Sequence, residues 1–219
     1  TKTTPATGWL IQEPSATRGE SKAMMQTDIR TPLPTNGGDW LTRFGEAWKG
    51  QADILKSKFG GVIEEVLMPG TYPTDVPIVF VKKESIPEVL AFAKTDPTFD
   101  YNFLADLTAT DEEGASPRFH VVYNLFSQAK KWRIRFKCKV AENDSVPTLV
   151  SVWPGANWAE REVCDMFGIK FAGHPDLRRT LMDERWVGHP LRKDYPLRGY
   201  QVFTTPEPVH PELLDEKGN

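Results

Sequence analysis

An α+β fold, with a mostly antiparallel sheet and helices packed on one face, is predicted by two hydrophobic periods and by their order along the chain. Residues 119–125 and 132–140 alternate strictly. Phe119, Val121, Tyr123 and Leu125 share one face, and Trp132, Ile134, Phe136, Cys138 and Val140 share another. Residues 39–59 and 85–94 instead place apolar side chains at helical spacing. The periods run helix, two strands, helix, three strands, helices, which suits helices laid on one face of a mostly antiparallel sheet.

Taken in order, residues 1–38 are rich in Thr, Pro, Gly and Ser with little apolar period, and read as an extended N-terminal tail. Asp39 can cap a helix to Phe59 whose stripe is Leu41, Phe44, Trp48, Ile54 and Leu55, with Gly60-Gly61 as its stop. Residues 62–68 and 76–82 read as strands joined through Pro69-Gly70 and Tyr72-Pro73. Ser85 can cap a helix to Lys94 with Val89, Leu90 and Phe92 inward, and 99–107 reads as a further strand. In the strand at 131–140 the face opposite the apolar one is Lys131, Arg133, Arg135, Lys137 and Lys139. That row is either a solvated face or a landing strip for an acidic partner. No aromatic side chains interleave with it, which speaks against single-stranded nucleic acid. Residues 146–153 read as one more helical turn.

The next stretch, 157–200, mixes charge, histidine, proline and aromatics more densely than helix or strand patterning requires. It opens with a helix: Asn157 suits an N-cap with Glu160 at the capping-box position, and Gly168 is a natural stop. Ala159, Val163, Met166 and Phe167 face inward, while Arg161, Glu162 and Asp165 fall on the other side. Glu162 and Asp165 are neighbours that repel unless a cation lies between them; Arg161 is within reach of Asp165, and Arg178, Arg179, Arg185 and Arg192 follow downstream. Two copies of Gly-His-Pro, at 173–175 and 188–190, then make stiff corners, each presenting an imidazole and then paired cations. The chain therefore divides into a tail at 1–38, an α+β domain at 39–168 and an extended segment at 169–219, which ends in a proline-rich acidic stretch.

The chemistry these residues support is limited. A net charge of −3 argues against a general nucleic-acid binder. Two cysteines, Cys138 and Cys164, cannot hold a usual iron–sulfur cluster, and they point to a reducing compartment rather than a disulfide framework. No apolar run reaches the ~20 residues needed to cross a bilayer. Glu162, Asp165, His174 and His189 are of metal-ligand type, so a soluble metal-dependent hydrolase is one reading, but no His-Glu-x-x-His or Cys-x-x-Cys spacing supports it. Arginines around Glu160, Glu162 and Asp165 should keep those carboxylates ionised, which suits a charge network better than acid–base catalysis. No glycine-rich phosphate loop occurs.

Glu160-Arg161-Glu162, Asp165, Phe167-Gly168-Ile169, Phe171 and the run Gly173-His174-Pro175-Asp176-Leu177-Arg178-Arg179 resemble the signature of one family, the C subunits of proton-translocating NADH:quinone oxidoreductase, respiratory complex I. The run from Gly188 to Leu197 resembles the same family; residues 39–152 resemble it more loosely, and Cys164 stands where an aromatic is expected. The resemblance implies a cofactor-free, non-catalytic structural subunit of the hydrophilic arm, peripheral to a bacterial or mitochondrial inner membrane. FMN, iron–sulfur clusters and quinone would belong to partner subunits, chiefly the quinone-cavity subunit and the iron–sulfur subunits. Residues 169–219 would wrap a partner. A hydrogenase-like or ferredoxin-dependent membrane complex could hold an equivalent subunit. The residues expected to hold the segment and dock the partner are Glu160, Arg161, Glu162, Asp165, His174, Asp176, Arg178, Arg179, His189 and Arg192. Within this set, Glu162, Asp165, Arg178 and Arg179 are expected to form the ion-pair network, the two histidines to anchor the corners, and Asp176 to cap its turn or pair with an arginine.

Overall fold

The computed structural model describes residues 38–200, with side chains from Gly45 onward. The expected Asp39 cap, Leu41, Phe44, the N-terminal tail and residues 201–219 lie outside the described side chains. Helix α1 (Gly38–Phe59) leads into strands β1 (Ile63–Leu67) and β2 (Ile78–Val81). Helix α2 (Ile86–Thr95) is followed by β3 (Phe103–Asp111), β4 (Phe119–Phe126) and β5 (Arg133–Val140). Strand β6 (Ser145–Pro147), helix α3 (Ala156–Phe167) and β7 (Lys170–Ala172) complete the described elements.

The main sheet has the order β1-β2-β5-β4-β3. All its pairings are antiparallel except β2 with β5, so the return from β2 through α2 and two strands seats β5 beside β2 in parallel. The strict alternation of β4 and β5 fixes their register. Phe119 faces Val140, Val121 faces Cys138, Tyr123 faces Phe136 and Leu125 faces Ile134, all buried on the side that the helices cover.

Several local expectations change. In α1, Trp48, Ala52, Leu55 and Phe59 are buried while Ile54 is exposed, and Gln51 takes an inward position instead. Two bonds satisfy Gln51 there: it accepts from the Tyr101 hydroxyl at 2.9 Å and donates to the Thr98 carbonyl. Ser85 occupies the N-cap position of α2 but its hydroxyl makes no capping bond; Pro87 in the first turn leaves one amide fewer to satisfy. The strand expected at 99–107 begins only at Phe103. Phe99 and Tyr101 are wholly buried as anchors of the α2–β3 turn, with Phe99 edge-on to Phe92 at 5.3 Å. Residues 146–153 are not a helical turn throughout, because Ser145–Pro147 pairs in parallel with Lys170–Ala172. That partner lies more than twenty positions on, and no local period announces it.

In the cation row, Arg135, Lys137 and Lys139 are half-buried while Lys131 and Arg133 are exposed. Arg135 donates to Asn124 and lies 3.8 Å from Asp75, Lys139 pairs with Glu64 at 3.1 Å, and Arg133 lies over Phe126. Lys137 and Lys139 lie over Phe80, which is 7% exposed, and burial pushes the Lys137 ammonium down from its ordinary value. Lys131 is in the turn before the strand, at a φ of 59°. The stems therefore roof apolar residues on the outer face.

Candidate partner-docking site

The site is built on α3 and on the chain that returns past it. The helix begins at Ala156 with Gly155 before it, so Asn157 lies inside the first turn and makes no capping bond. Glu160 is correspondingly free of the capping box. It points inward, fully buried, where the Thr148 hydroxyl donates to Oε2 at 2.6 Å and the Leu149 amide to Oε1 at 2.7 Å. This carboxylate ties α3 to the chain just after β6. No arginine touches it; burial pushes its carboxyl above the ordinary range, against the pull of those two bonds and of His174. The expectation that arginines hold Glu160 and lower its carboxyl is thereby corrected.

The helical phase alone puts Asp165 on the outer side, yet it is 2% exposed. The segment folds back over it. Arg179 Nη1 donates to Oδ1 at 2.6 Å, while the amides of Thr180, Leu181 and Met182 all donate to Oδ2, at 3.1, 2.9 and 2.9 Å. Burial alone would raise this carboxyl, but the three amides and the guanidinium outweigh it and hold the group below the usual carboxylate range. The same residue's carbonyl accepts from His189 Nδ1 at 2.8 Å. Arg179 also donates to the Gly188 carbonyl, so side chain and backbone of Asp165 together grip both ends of residues 179–189.

The two Gly-His-Pro corners are held differently. His174 accepts the Asp176 amide on Nδ1 at 3.0 Å, so its proton is on Nε2, which donates to the Asn157 carbonyl at 3.2 Å. His189 lies over Gly168, whose φ is 78°. A methyl group there would sit 2.6 Å from both His189 Nε2 and Arg192 Nη2, so glycine is required by conformation and by space. Burial, aided by Arg192 and Arg179, pushes the His189 imidazole below its ordinary pKa. Arg192 Nε donates to the Phe167 carbonyl at 2.6 Å, satisfying a helix-end acceptor, and Nη1 donates to Glu142 at 3.0 Å.

The remaining expected residues do not join the Asp165 cluster. Arg161 is not on Asp165; it donates to the carbonyls of Arg178 and Arg179 and lies over the exposed Trp158 ring. Arg178 reaches outward to Asp176, 2.9 Å away in a solvent-exposed pair. Glu162 is exposed on α3, outside the ion pairs of the described residues. Of the four-residue network expected from the sequence, Asp165 with Arg179 is the buried part.

Sequence reasoning misses a second clasp. Asp111, at the inner end of β3, has a fully buried carboxylate held by two bonds from Arg118, at 2.8 and 2.7 Å, and by the Lys193 amide at 2.8 Å. Arg118 also reaches Asp194 at 2.9 Å and Glu142 at 3.7 Å. Hydrogen bonds from Arg118 hold Asp111 below the usual carboxylate range. The only sequence signal is an aspartate at the inward phase of an otherwise apolar β3 face, a buried charge that needs a partner.

These placements do not make a metal centre. Among the described residues no group of three or more His, Cys, Asp or Glu side chains is placed to hold an ion. Glu162, Asp165, His174 and His189 do not converge, and both imidazoles and Asp165 are occupied by backbone groups. Cys138 is buried in the sheet with its thiol pushed up to about 12 by desolvation, a poor thiolate donor.

The fold and its closing segment have known relatives. Residues 79–201 match the family model described as respiratory-chain NADH dehydrogenase, 30 Kd subunit. The chain is 44% identical over 162 residues to a C subunit, numbered 2, of the NADH-quinone oxidoreductase of Rhizobium meliloti (strain 1021), covering 71% of this chain and 86% of that one. It is 52% identical over 128 residues to the C subunit of the Roseiflexus castenholzii enzyme, covering 58% and 74%. A chain in a solved structure of an archaeal respiratory membrane complex, the membrane-bound sulfane sulfur reductase, superposes with a TM-score of 0.53 at 20% identity, covering 68% of this chain and 86% of that one. The matched span takes in both Gly-His-Pro corners, α3 and the sheet from β2 onward, and on that extent of likeness the chain belongs to the 30 kDa subunit family of respiratory-chain NADH dehydrogenase.

Proposed function

We propose that this chain is a structural and assembly subunit of an NADH:quinone oxidoreductase that couples electron transfer to proton translocation. It sits in the hydrophilic arm beside the quinone-cavity subunit and carries no redox group of its own. FMN, iron–sulfur clusters and quinone belong to the neighbouring subunits. The observation that carries this reading is the use made of the charged side chains around α3. Asp165, Arg179, His189 and Arg192 are bonded to the chain's own backbone and to one another, so their chemistry is that of fixing the course of residues 176–194. A fixed course presents the same surface to a neighbour every time. No helix among the described residues is long and apolar enough to cross a membrane. In this reading the chain attaches through partners, on the cytoplasmic face in bacteria or the matrix face in mitochondria.

Mild detergent extraction of native membranes, capture of the tagged chain and quantitative mass spectrometry test this. Fixed-ratio recovery with flavin, iron–sulfur and quinone-cavity subunits is expected; recovery of the chain alone overturns it. The electron-input subunit that accompanies it separates NADH:quinone oxidoreductase from a hydrogenase-like or ferredoxin-dependent complex. The 20% identity to the sulfane sulfur reductase chain concerns the fold alone, so the two are not separated by shape.

A further inference from the structure

A groove of about 480 Å³ lies within the returning segment, sharing only the backbone of Met182 and Lys193 with the two clasps. Met182, Trp186, Leu191, Tyr195 and Leu197 give it apolar walls, with Leu191 half exposed and Leu197 fully exposed. Arg192, Lys193 and Arg198 are its charged lining, and no carboxylate lines it. Arg192 is committed to Phe167 and Glu142. Lys193 and Arg198 are exposed and belong to no ion pair among the described residues, while Asp194, the nearest acid in sequence, is taken by Arg118. An apolar concavity with an unneutralised cationic rim is a surface whose complement is apolar at its centre and acidic at its edge.

From this we infer that the groove receives an acidic segment of another subunit, anchored by an apolar side chain against the exposed Leu191 and Leu197. The inference rests on the proposed subunit role and names the chemistry of one neighbour. A second copy fits less well, since meeting through this groove about a two-fold axis would bring cations against cations. Residues 201–219 carry Glu207, Glu212, Asp215 and Glu216, and a cross-link to them is one of the overturning outcomes below.

The test uses the assembled complex in membranes. The photo-reactive residue p-benzoylphenylalanine is introduced at Leu197, and the cross-linked peptide is sequenced after irradiation. The expected product joins Leu197 to one segment of a different subunit that carries acidic residues beside an apolar one. In Lys193→Glu/Arg198→Glu chains the yield of that product should fall on the order of tenfold, as reversal of two rim charges weakens the contact. A cross-link to residues 201–219, to a second copy, to a segment without acidic residues, or to nothing in a complex of normal composition overturns the inference and leaves the subunit role standing. A chain that never enters the complex overturns the subunit role instead, and native gel migration of the unmodified chain tells the two apart.

Discussion

At the scale of single residues the structure separates charges that look alike in sequence. Arg178 and Arg179 are adjacent, yet Arg178 pairs with Asp176 in water while Arg179 meets a carboxylate with no exposure. Arg179→Ala leaves a buried Asp165 without its cation, held only by three amides, and should cost about 3 kcal/mol, the low end for a broken buried pair because the guanidinium is partly exposed. Arg178→Ala should cost less, about 1 kcal/mol or below, as for an exposed pair. Equal losses in the two variants, measured by chemical denaturation, would mean the Asp165 cluster is not the fastening point. The pH dependence has a definite sign. Asp165 is held below its ordinary range, so its contribution is complete above the unfolded value of about 3.9 and is lost as pH falls through the lower folded value. Amides 180–182 should therefore lose hydrogen-exchange protection on acidification ahead of the sheet. Glu160 has the opposite sign. Burial raises its carboxyl, so stability is greatest below about 4.3 and declines as pH rises through the raised folded value.

At the scale of elements, α3 is where helix, sheet and returning chain meet. Its inward face holds Val163, Met166 and Phe167 against the core, and its polar residues reach neighbours on both sides. Glu160 holds the chain after β6, and Asp165 holds residues 179–182. The helix ends where Gly168 turns left-handed, and the space above it is filled by His189 and Arg192. Gly168→Ala should cost about 1–2 kcal/mol from backbone geometry alone. It should also displace His189 and Arg192, so protection at residues 189–192 ought to fall more than protection within α3. An unchanged exchange pattern with a lower melting temperature would confine the effect to the helix end.

At the scale of the whole molecule, two clasps set the exit of the chain from the domain: Asp165 at the end of α3, and Asp111 at the end of β3. Arg118 belongs to the domain and reaches both Asp111 and Asp194, so it joins sheet to segment. Arg118→Ala should lower the amount of assembled complex, measured on native gels, while turnover per assembled complex stays near wild type. Normal assembly with lost turnover would instead place Arg118 in the chemistry and contradict the scaffold role.

Much of this architecture is legible in the chain itself, because its signals are local. The period of two in residues 119–125 and 133–140 fixes strand, face and register, since a one-residue slip would bury lysine and arginine. Gly168 as a helix stop and the two Gly-His-Pro corners are legible because glycine and proline restrict the backbone wherever they occur. The run from Glu160 to Arg179 likewise carries the resemblance to the family. Tertiary structure alone decided which charges are buried. Glu160 and Asp165 lie within six residues on one helix, yet burial raises one and a nest of amides lowers the other. The partners responsible come from residues 148–149 and 179–182, and Asp111 is neutralised from positions 118 and 193. The parallel pairing of β6 with β7 is likewise a meeting of distant segments. Periodicity tells which way a side chain points; the electrostatics of what it meets depend on segments brought together only when the chain closes on itself.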